Sequence, residues 1–122
     1  MPQYLLASYL PDDFDPSTIP EETVEAIHAL NREIVAAGAE KFACGLSPAS
    51  NAKSLRKQPN GKVVVTDGPY IETKEHVGGL MILEAANLEE ALAWARKCLV
   101  VGGAAVEVRE ILFFPDPKAA TE

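Results

Sequence analysis

The sequence has few cysteines and no long apolar run. Its two cysteines, Cys44 and Cys98, stand apart within apolar segments and lack the spacing of a disulfide framework or a zinc site. No apolar run approaches the roughly 20 residues that a membrane-spanning helix requires. No charged N-terminal segment followed by a long apolar segment is visible either. We therefore expect reduced thiols, no membrane partner, no signal peptide and a cytoplasmic location.

Basic residues are also scarce, with 11 Lys and Arg against 18 Asp and Glu and a formal net charge of −7. Proteins that bind nucleic acids need a basic face, so we expect no nucleic-acid partner. The basic patch formed by Lys53, Arg56, Lys57 and Lys62 is interpreted as a solvated hairpin. The chain lacks the Gly-x-Ser-x-Gly, His-Glu-x-x-His and Cys-x-x-Cys motifs. The sequence therefore gives no support for a nucleophilic serine, a metal or another cofactor.

The segments that are present predict one domain at residues 1–114, followed by a tail at 115–122. Their order is strand, helix, strand, then a two-stranded hairpin, then strand, helix, strand. This order is typical of an α+β sandwich of the ferredoxin-like type. Two helices would cover one face of the sheet, and the other face would stay exposed in a monomer. Because large apolar surfaces usually mark interfaces, we expect a homodimer in which two sheets pair face to face.

Three residue pairs predict where the elements begin or turn. Thr18 and Glu21 have the spacing of a capping box at the start of the first helix. Asn87 and Glu90 have the same spacing before the second helix. Asn60-Gly61 lies between two extended segments and predicts a tight hairpin.

The densest group of ionisable residues lies between two apolar runs. The first run ends at Thr66, and the second begins at the glycine pair Gly78-Gly79, which predicts a β-bulge or a tight strand entry. A stiff turn, Asp67-Gly68-Pro69-Tyr70, opens the intervening segment. A polar cluster follows it, formed by Glu72, Thr73, Lys74, Glu75 and His76. We therefore place the candidate site in this segment.

Asp67 is the first candidate for catalysis. If its carboxylate faces a cleft at the strand end, it would act as a general base, with His76 or Glu75 as the second acid or base. The alternative is a structural Asx-turn, in which Asp67 accepts hydrogen bonds from the amides of its own turn.

The candidate ligand-binding residues are Gly68, Tyr70, Glu72 and Lys74. Gly68 would allow a ligand to approach the backbone closely, and the ring of Tyr70 would line a pocket. Lys74 would hold an anionic group while Glu72 positions it. The alternative is that the charged side chains form a solvated loop and the aromatic rings fill the core.

Residues 66–79 resemble the signature of the DGPF group within the YCII-related proteins. The family commonly has Asp-Gly-Pro-Phe, one variable residue, Glu-Thr-Lys-Glu, two variable residues and Gly-Gly, and here Tyr70 stands in place of Phe. The resemblance extends to the opening strand and to residues 88–95 and 105–109. It implies a dimeric α/β barrel built from two ferredoxin-like protomers.

The same resemblance bears on function. YCII-related proteins have been proposed as enzymes with a His–Asp pair, and Asp67 matches a site aspartate. The resemblance leaves the histidine open, since His28 lies on the first predicted helix and His76 lies within the motif. Some family members are encoded beside extracytoplasmic-function sigma factors.

Two hypotheses follow. In the first, a cleft around Asp67 binds a small polar or anionic metabolite, and the extension of this hypothesis is acid/base catalysis of an isomerase or lyase type. In the second, the protein is a non-catalytic interaction or regulatory protein, linked to a sigma factor, and residues 67–79 form a contact surface.

Overall fold

Six strands and two helices follow one another in the predicted order. The computed structural model describes residues 1–115, so the predicted tail lies almost entirely outside the described residues. Two short 3₁₀ turns, Pro16–Thr18 and Ala49–Asn51, lie between the main elements. The main elements are β1 (Gln3–Pro11), α1 (Glu21–Ala36), β2 (Glu40–Gly45), β3 (Lys53–Lys57), β4 (Val63–Asp67), β5 (Glu75–Glu84), α2 (Leu88–Gly102) and β6 (Ala105–Glu110).

Four of the strands form one antiparallel sheet in the order β2-β5-β1-β6. Each βαβ unit places its two strands on either side of a third strand, which confirms the predicted α+β fold of ferredoxin-like type. No helix within residues 1–115 has both the length and the apolar character needed to cross a membrane.

The core lies between one face of this sheet and the two helices. The remaining sheet residues alternate with the core positions and point to the other face, where Phe42 is 53% exposed. This separation of the two faces is the one that the sequence predicts. Two clusters of buried residues form this core: Tyr4, Leu6, Leu83, Ala85, Ala91 and Ala95 in one, and Leu30, Ile34 and Ala39 in the other.

A β-bulge at Gly78 interrupts the pairing of the two central strands. Ser8 lies opposite Gly79 and Tyr9 lies opposite Val77, so that Gly78 is the extra residue on β5. Its carbonyl oxygen accepts a hydrogen bond of 2.9 Å from the amide of Leu46. The bulge predicted from the glycine pair is thus confirmed.

Strands β3 and β4 form a separate two-stranded hairpin, as the Asn60-Gly61 pair predicts. Leu55 and Val65 lie directly opposite each other on one of its faces, and both side chains are exposed. On the other face the hydroxyl of Ser54 is buried and donates a 2.7 Å hydrogen bond to the carbonyl of Gly68. This hydrogen bond ties the hairpin to the turn that follows it.

Two predicted boundaries are wrong. Strand β5 begins at Glu75 rather than at Gly79, because Glu75 and His76 pair with the last residues of β1. Thr18 does not cap α1: its hydroxyl donates to the carbonyl of Asp15, and Pro20 precedes the helix without a side-chain cap. The Asn87 cap is confirmed, since its side-chain oxygen accepts a 2.9 Å hydrogen bond from the amide of Glu90.

Candidate functional site

His76 and Asp12 meet where the two central strands adjoin. His76 is the second residue of β5 and pairs with Leu10, whereas Asp12 directly follows the end of β1. The amide of Asp12 donates a 2.9 Å hydrogen bond to the carbonyl of Lys74, which continues the pairing by one residue. The register of the sheet thus brings together two residues that are far apart in the chain.

Both nitrogens of the His76 ring face oxygen atoms. Nδ1 lies 2.6 Å from Oδ1 of Asp12, and Nε2 lies 2.7 Å from the carbonyl oxygen of Ile71. A carboxylate and a carbonyl can only accept hydrogen bonds, so both ring nitrogens must donate. A neutral imidazole has one N–H and the imidazolium has two. The arrangement therefore favours the positively charged form of His76.

A third oxygen near the ring fits the same protonation state. The hydroxyl of Thr73 donates a 2.6 Å hydrogen bond to the carbonyl of Glu75, and its oxygen lies 3.2 Å from Nε2 of His76. Because the hydroxyl proton is already used, this oxygen is free to accept from Nε2.

These contacts raise the pKa of His76 above its ordinary value of 6.5. The hydrogen bond to the Ile71 carbonyl is the largest cause, the bond to the Asp12 carboxylate is the second, and partial burial of the ring opposes both. The His76 side chain is 16% exposed and the Asp12 side chain is 45% exposed. A ligand can therefore reach the carboxylate more readily than the ring.

A cavity of about 230 Å³ adjoins this pair. Its wall is mainly apolar, and Asp12 and His76 contribute the charged groups. The remaining lining comes from the end of β1 and the residues after it (Leu10, Pro11, Phe14, Pro16), from residues 46–49, and from Val77 and Gly78. Few polar groups in an otherwise apolar concave site are typical of small-molecule sites.

The structure places Asp67 in a different environment from the one that the sequence predicts. Its side chain is 87% exposed and forms an ion pair with Lys53, its cross-strand neighbour on the hairpin. It is therefore neither buried in a cleft nor engaged with the amides of its own turn. Among the described residues, Asp67 does not contribute to the wall of the cavity beside His76.

Within residues 1–115, the other predicted site residues do not line the cavity beside His76. Gly68 has a φ of +94°, which supports its prediction as a position that needs glycine. The Tyr70 ring is exposed and lies 4.5 Å from the guanidinium carbon of Arg56. The side chains of Glu72, Lys74 and Glu75 are exposed, although the backbone carbonyls of Lys74 and Glu75 bind Asp12 and Thr73.

Sequence reasoning identified His76 but missed Asp12. Asp12 lies in a segment rich in Asp and Pro that resembles an ordinary loop. The available signal was the fold: in the predicted topology the end of β1 lies beside the start of the other central strand. A search for carboxylates at that end of β1 would have found Asp12.

Comparisons with known proteins identify a family and a relative. The model of the YCII-related domain matches residues 1–115. An uncharacterised protein of Rhizobium meliloti (strain 1021) is 37% identical over 76 residues, which are 62% of this chain and 60% of that protein. The chain thus spans about three-fifths of the length of this curated relative.

Proposed function

The chain belongs to the YCII-related family, and we propose that it binds a small metabolite with an acidic group at the His76–Asp12 pair. The observation that carries this proposal is the arrangement of the His76 ring, whose two nitrogens both face acceptor oxygens. The positive charge of the ring balances the negative charge of Asp12, so an anionic group that binds here does not meet an unpaired carboxylate. The resemblance matches Asp67 to the aspartate of the His–Asp pair proposed for family members, whereas the geometry of this chain pairs His76 with Asp12.

We propose acid/base chemistry of an isomerase or lyase type as the extension of this function. Asp12 accepts a hydrogen bond from Nδ1–H of His76 and stabilises the charged ring. The proton on Nε2 of His76 is the one that would be transferred to the ligand. For this transfer, the ligand must replace the Ile71 carbonyl at Nε2. Because the side chains of Tyr70 and Ile71 are exposed, few packing contacts hold this segment over the ring.

Among the residues predicted from sequence, Lys74 and Glu72 remain proposed contacts for the polar end of the ligand. Both lie in the short segment that precedes His76 and crosses beside its ring. Glu75 remains a proposed second acid or base. Asp67 is kept as a proposed base, although its exposed position favours the Asp12–His76 pair.

Ligand titration followed by ¹⁵N NMR of the histidine rings tests the proposal. Small carboxylates and inorganic phosphate are added to the parent protein, to His76→Gln and to Asp12→Asn. We expect an anion to shift the His76 ring signals and its affinity to fall in His76→Gln. The matched control is His28→Gln, which makes the same substitution at an exposed histidine of α1 that does not line the cavity. If anions bind equally well to His76→Gln, the site lies elsewhere.

We also propose that the protein is a homodimer, formed through the sheet face that the helices leave uncovered. The exposed ring of Phe42 and the apolar residues beside it support this surface, as does the barrel architecture of the family. Light scattering after size exclusion tests the proposal. Phe42→Glu should convert a dimer into a monomer, whereas Leu55→Glu on the hairpin should leave the mass unchanged.

The free thiols of Cys44 and Cys98 support a cytoplasmic location as a further part of the proposal.

A second candidate function is a non-catalytic interaction protein linked to a sigma factor. The exposed apolar pair Leu55 and Val65 on the hairpin favours it, because paired apolar side chains on a projecting element suit a protein contact. If this function is right, a purified extracytoplasmic-function sigma factor of the same organism should bind the parent protein and fail to bind Leu55→Glu.

A further inference from the structure

A second and larger cavity lies between the sheet and the two helices. Its volume is about 480 Å³, which falls in the range of sites for small organic molecules. Most of its lining is apolar, and no charged side chain of residues 1–115 contributes to it. Leu6 and Met81 come from the sheet, Ile19 and Ile27 come from the first helical region, and Val101 comes from α2.

The cavity exists because the two halves of α1 pack differently. In the second half, Ile34 is completely buried and Leu30 nearly so. In the first half, Thr23 and Ile27 are only half-buried, although both face the cavity. Protein interiors are normally packed without voids of this size. The apolar side chains of the first half of α1 thus face a space that the chain itself does not fill.

The sheet also contributes to the open space. Ser8 of β1 lies opposite Gly79, which has no side chain, and on its other side it lies opposite Val106. Ser8, Gly79 and Val106 all line the cavity. Because Ser8 is small and Gly79 has no side chain, the space between the centre of the sheet and the first half of α1 stays unfilled.

The two cavities share part of their walls. Leu10 and Phe14 line both the large apolar cavity and the smaller cavity beside His76. The glycines at the bulge divide between them, with Gly79 in the large cavity and Gly78 in the small one. The two cavities are therefore adjacent, and a molecule that displaces the side chain of Leu10 or Phe14 would occupy both.

We infer that the ligand is an amphipathic acid, with an aromatic or branched apolar body in the large cavity and its acidic group at His76. The apolar body follows from the uncharged lining alone, whereas the position of the acidic group rests on the proposed function. This ligand class adds a large apolar body to the small polar or anionic metabolite that the sequence predicts. The charged residues within 72–76 indicate only where the acidic group of the ligand would bind. The apolar body is inferred from the cavity that the sheet and the helices line.

Methionine methyl NMR offers a direct test, because the chain has two methionines. The Met81 side chain lines the cavity, while Met1 is 75% exposed and serves as an internal control. The probes are 1-naphthaleneacetic acid and the neutral 1-naphthaleneethanol, which share their apolar body. We expect both probes to shift the Met81 methyl signal and to leave the Met1 signal in place. If neither probe shifts Met81, the inferred ligand class is wrong.

Ser8→Leu is the variant that closes the large cavity. The new side chain has room beside Gly79, so the variant should fold and lose the Met81 shift with both probes. If Ser8→Leu does not fold, Ala43→Leu on the edge strand β2 closes the same cavity from its edge. Leu55→Ala, which removes an exposed apolar side chain from the hairpin, is the control and should bind both probes like the parent. Unchanged binding in a folded cavity-closing variant would overturn the inference.

His76→Gln separates this inference from the proposed function. We expect this variant to bind the acid about tenfold more weakly, as the loss of a charge-assisted hydrogen bond implies, and to bind the alcohol like the parent. If both probes bind but His76→Gln weakens neither, the apolar site stands and the proposed acidic subsite fails. If His76→Gln weakens the alcohol as much as the acid, the assignment of the acidic group to His76 is overturned.

Discussion

Replacing Gly78 with alanine should destabilise the protein through one side chain. A Cβ atom at this position would lie 2.3 Å from Cδ1, 2.7 Å from Cγ and 3.2 Å from Cβ of Leu10. Because three atoms of Leu10 are too close, rotating the end of its side chain cannot relieve the clash. The whole side chain, or the bulge itself, must move. Since Leu10 lines both cavities, the same movement should change their shape.

The expected cost of Gly78→Ala is about 1–3 kcal/mol, which is typical of overpacking in a well-packed site. For a chain of this size, that cost lowers the melting temperature by roughly 5–15 °C, measured by circular dichroism. Gly102→Ala is the matched control, because a Cβ there has no neighbour within 4 Å. The control should melt at or slightly above the parent temperature, since alanine favours the helix.

A double variant identifies the cause of the loss. Leu10→Ala alone should destabilise the protein by removing a partly buried side chain. In a Leu10→Ala background, however, Gly78→Ala should cost little more, because the two nearest atoms, Cδ1 and Cγ, are gone and only the 3.2 Å approach to Cβ remains. An interaction energy of about 1 kcal/mol or more is expected from this cycle. If Gly78→Ala melts like the parent, or if the two effects simply add, the clash with Leu10 does not control this position.

The remaining predictions concern an exposed ion pair, a helix cap and a titrating ring. Asp67→Asn should cost at most about 1 kcal/mol in urea denaturation, because its ion pair with Lys53 is exposed; a loss above about 2 kcal/mol would contradict this placement. Asn87→Ala should cost about 1 kcal/mol in the same assay through the lost cap of α2, and an unchanged midpoint would show that the cap contributes nothing. Because the pKa of His76 is raised in the folded state, its contribution to stability should be complete below about pH 6.5 and be lost as the pH rises through the raised pKa. Melting temperatures across pH should show this loss in the parent and not in His76→Gln.

The features predicted correctly from sequence are mostly local. Asn60-Gly61 specifies its hairpin, Gly78-Gly79 specifies the bulge, and Asn87 caps the helix that directly follows it. Each depends on backbone geometry within a few residues, which the residue types control. The order of these local elements then sufficed to predict the ferredoxin-like topology.

The candidate site was harder to predict because it depends on pairing between distant strands. Asp12 and His76 are 64 residues apart, and the register of β1 against β5 brings them together. The motif favours Asp67 over Asp12 as the partner of His76, because Asp67 lies within the same motif. In the structure, however, the hairpin places the Asp67 side chain in solvent, where it forms an ion pair with Lys53. A short motif can thus locate one residue of a pair while tertiary structure supplies the other.

Thr18 shows why a local pattern can also mislead. Its spacing to Glu21 fits a capping box, but Asp15 and Pro16 begin a 3₁₀ turn three residues earlier. The Thr18 hydroxyl is used within that turn, and Pro20 then enters the helix with its φ already fixed. The 3₁₀ turn that begins at Asp15 thus uses the hydroxyl group that the capping box would need.

The charged pair of His76 and Asp12 is tested best by the pKa of His76, measured by ¹⁵N and ¹H NMR titration in the parent protein and in Asp12→Asn. We expect a value above 6.5 in the parent, with both ring nitrogens protonated at the lower end of the titration. Asp12→Asn should lower the pKa without removing the whole shift, because the Ile71 carbonyl remains in place. A parent value at or below 6.5, together with no change in Asp12→Asn, would contradict the claim that these two residues form a charged pair.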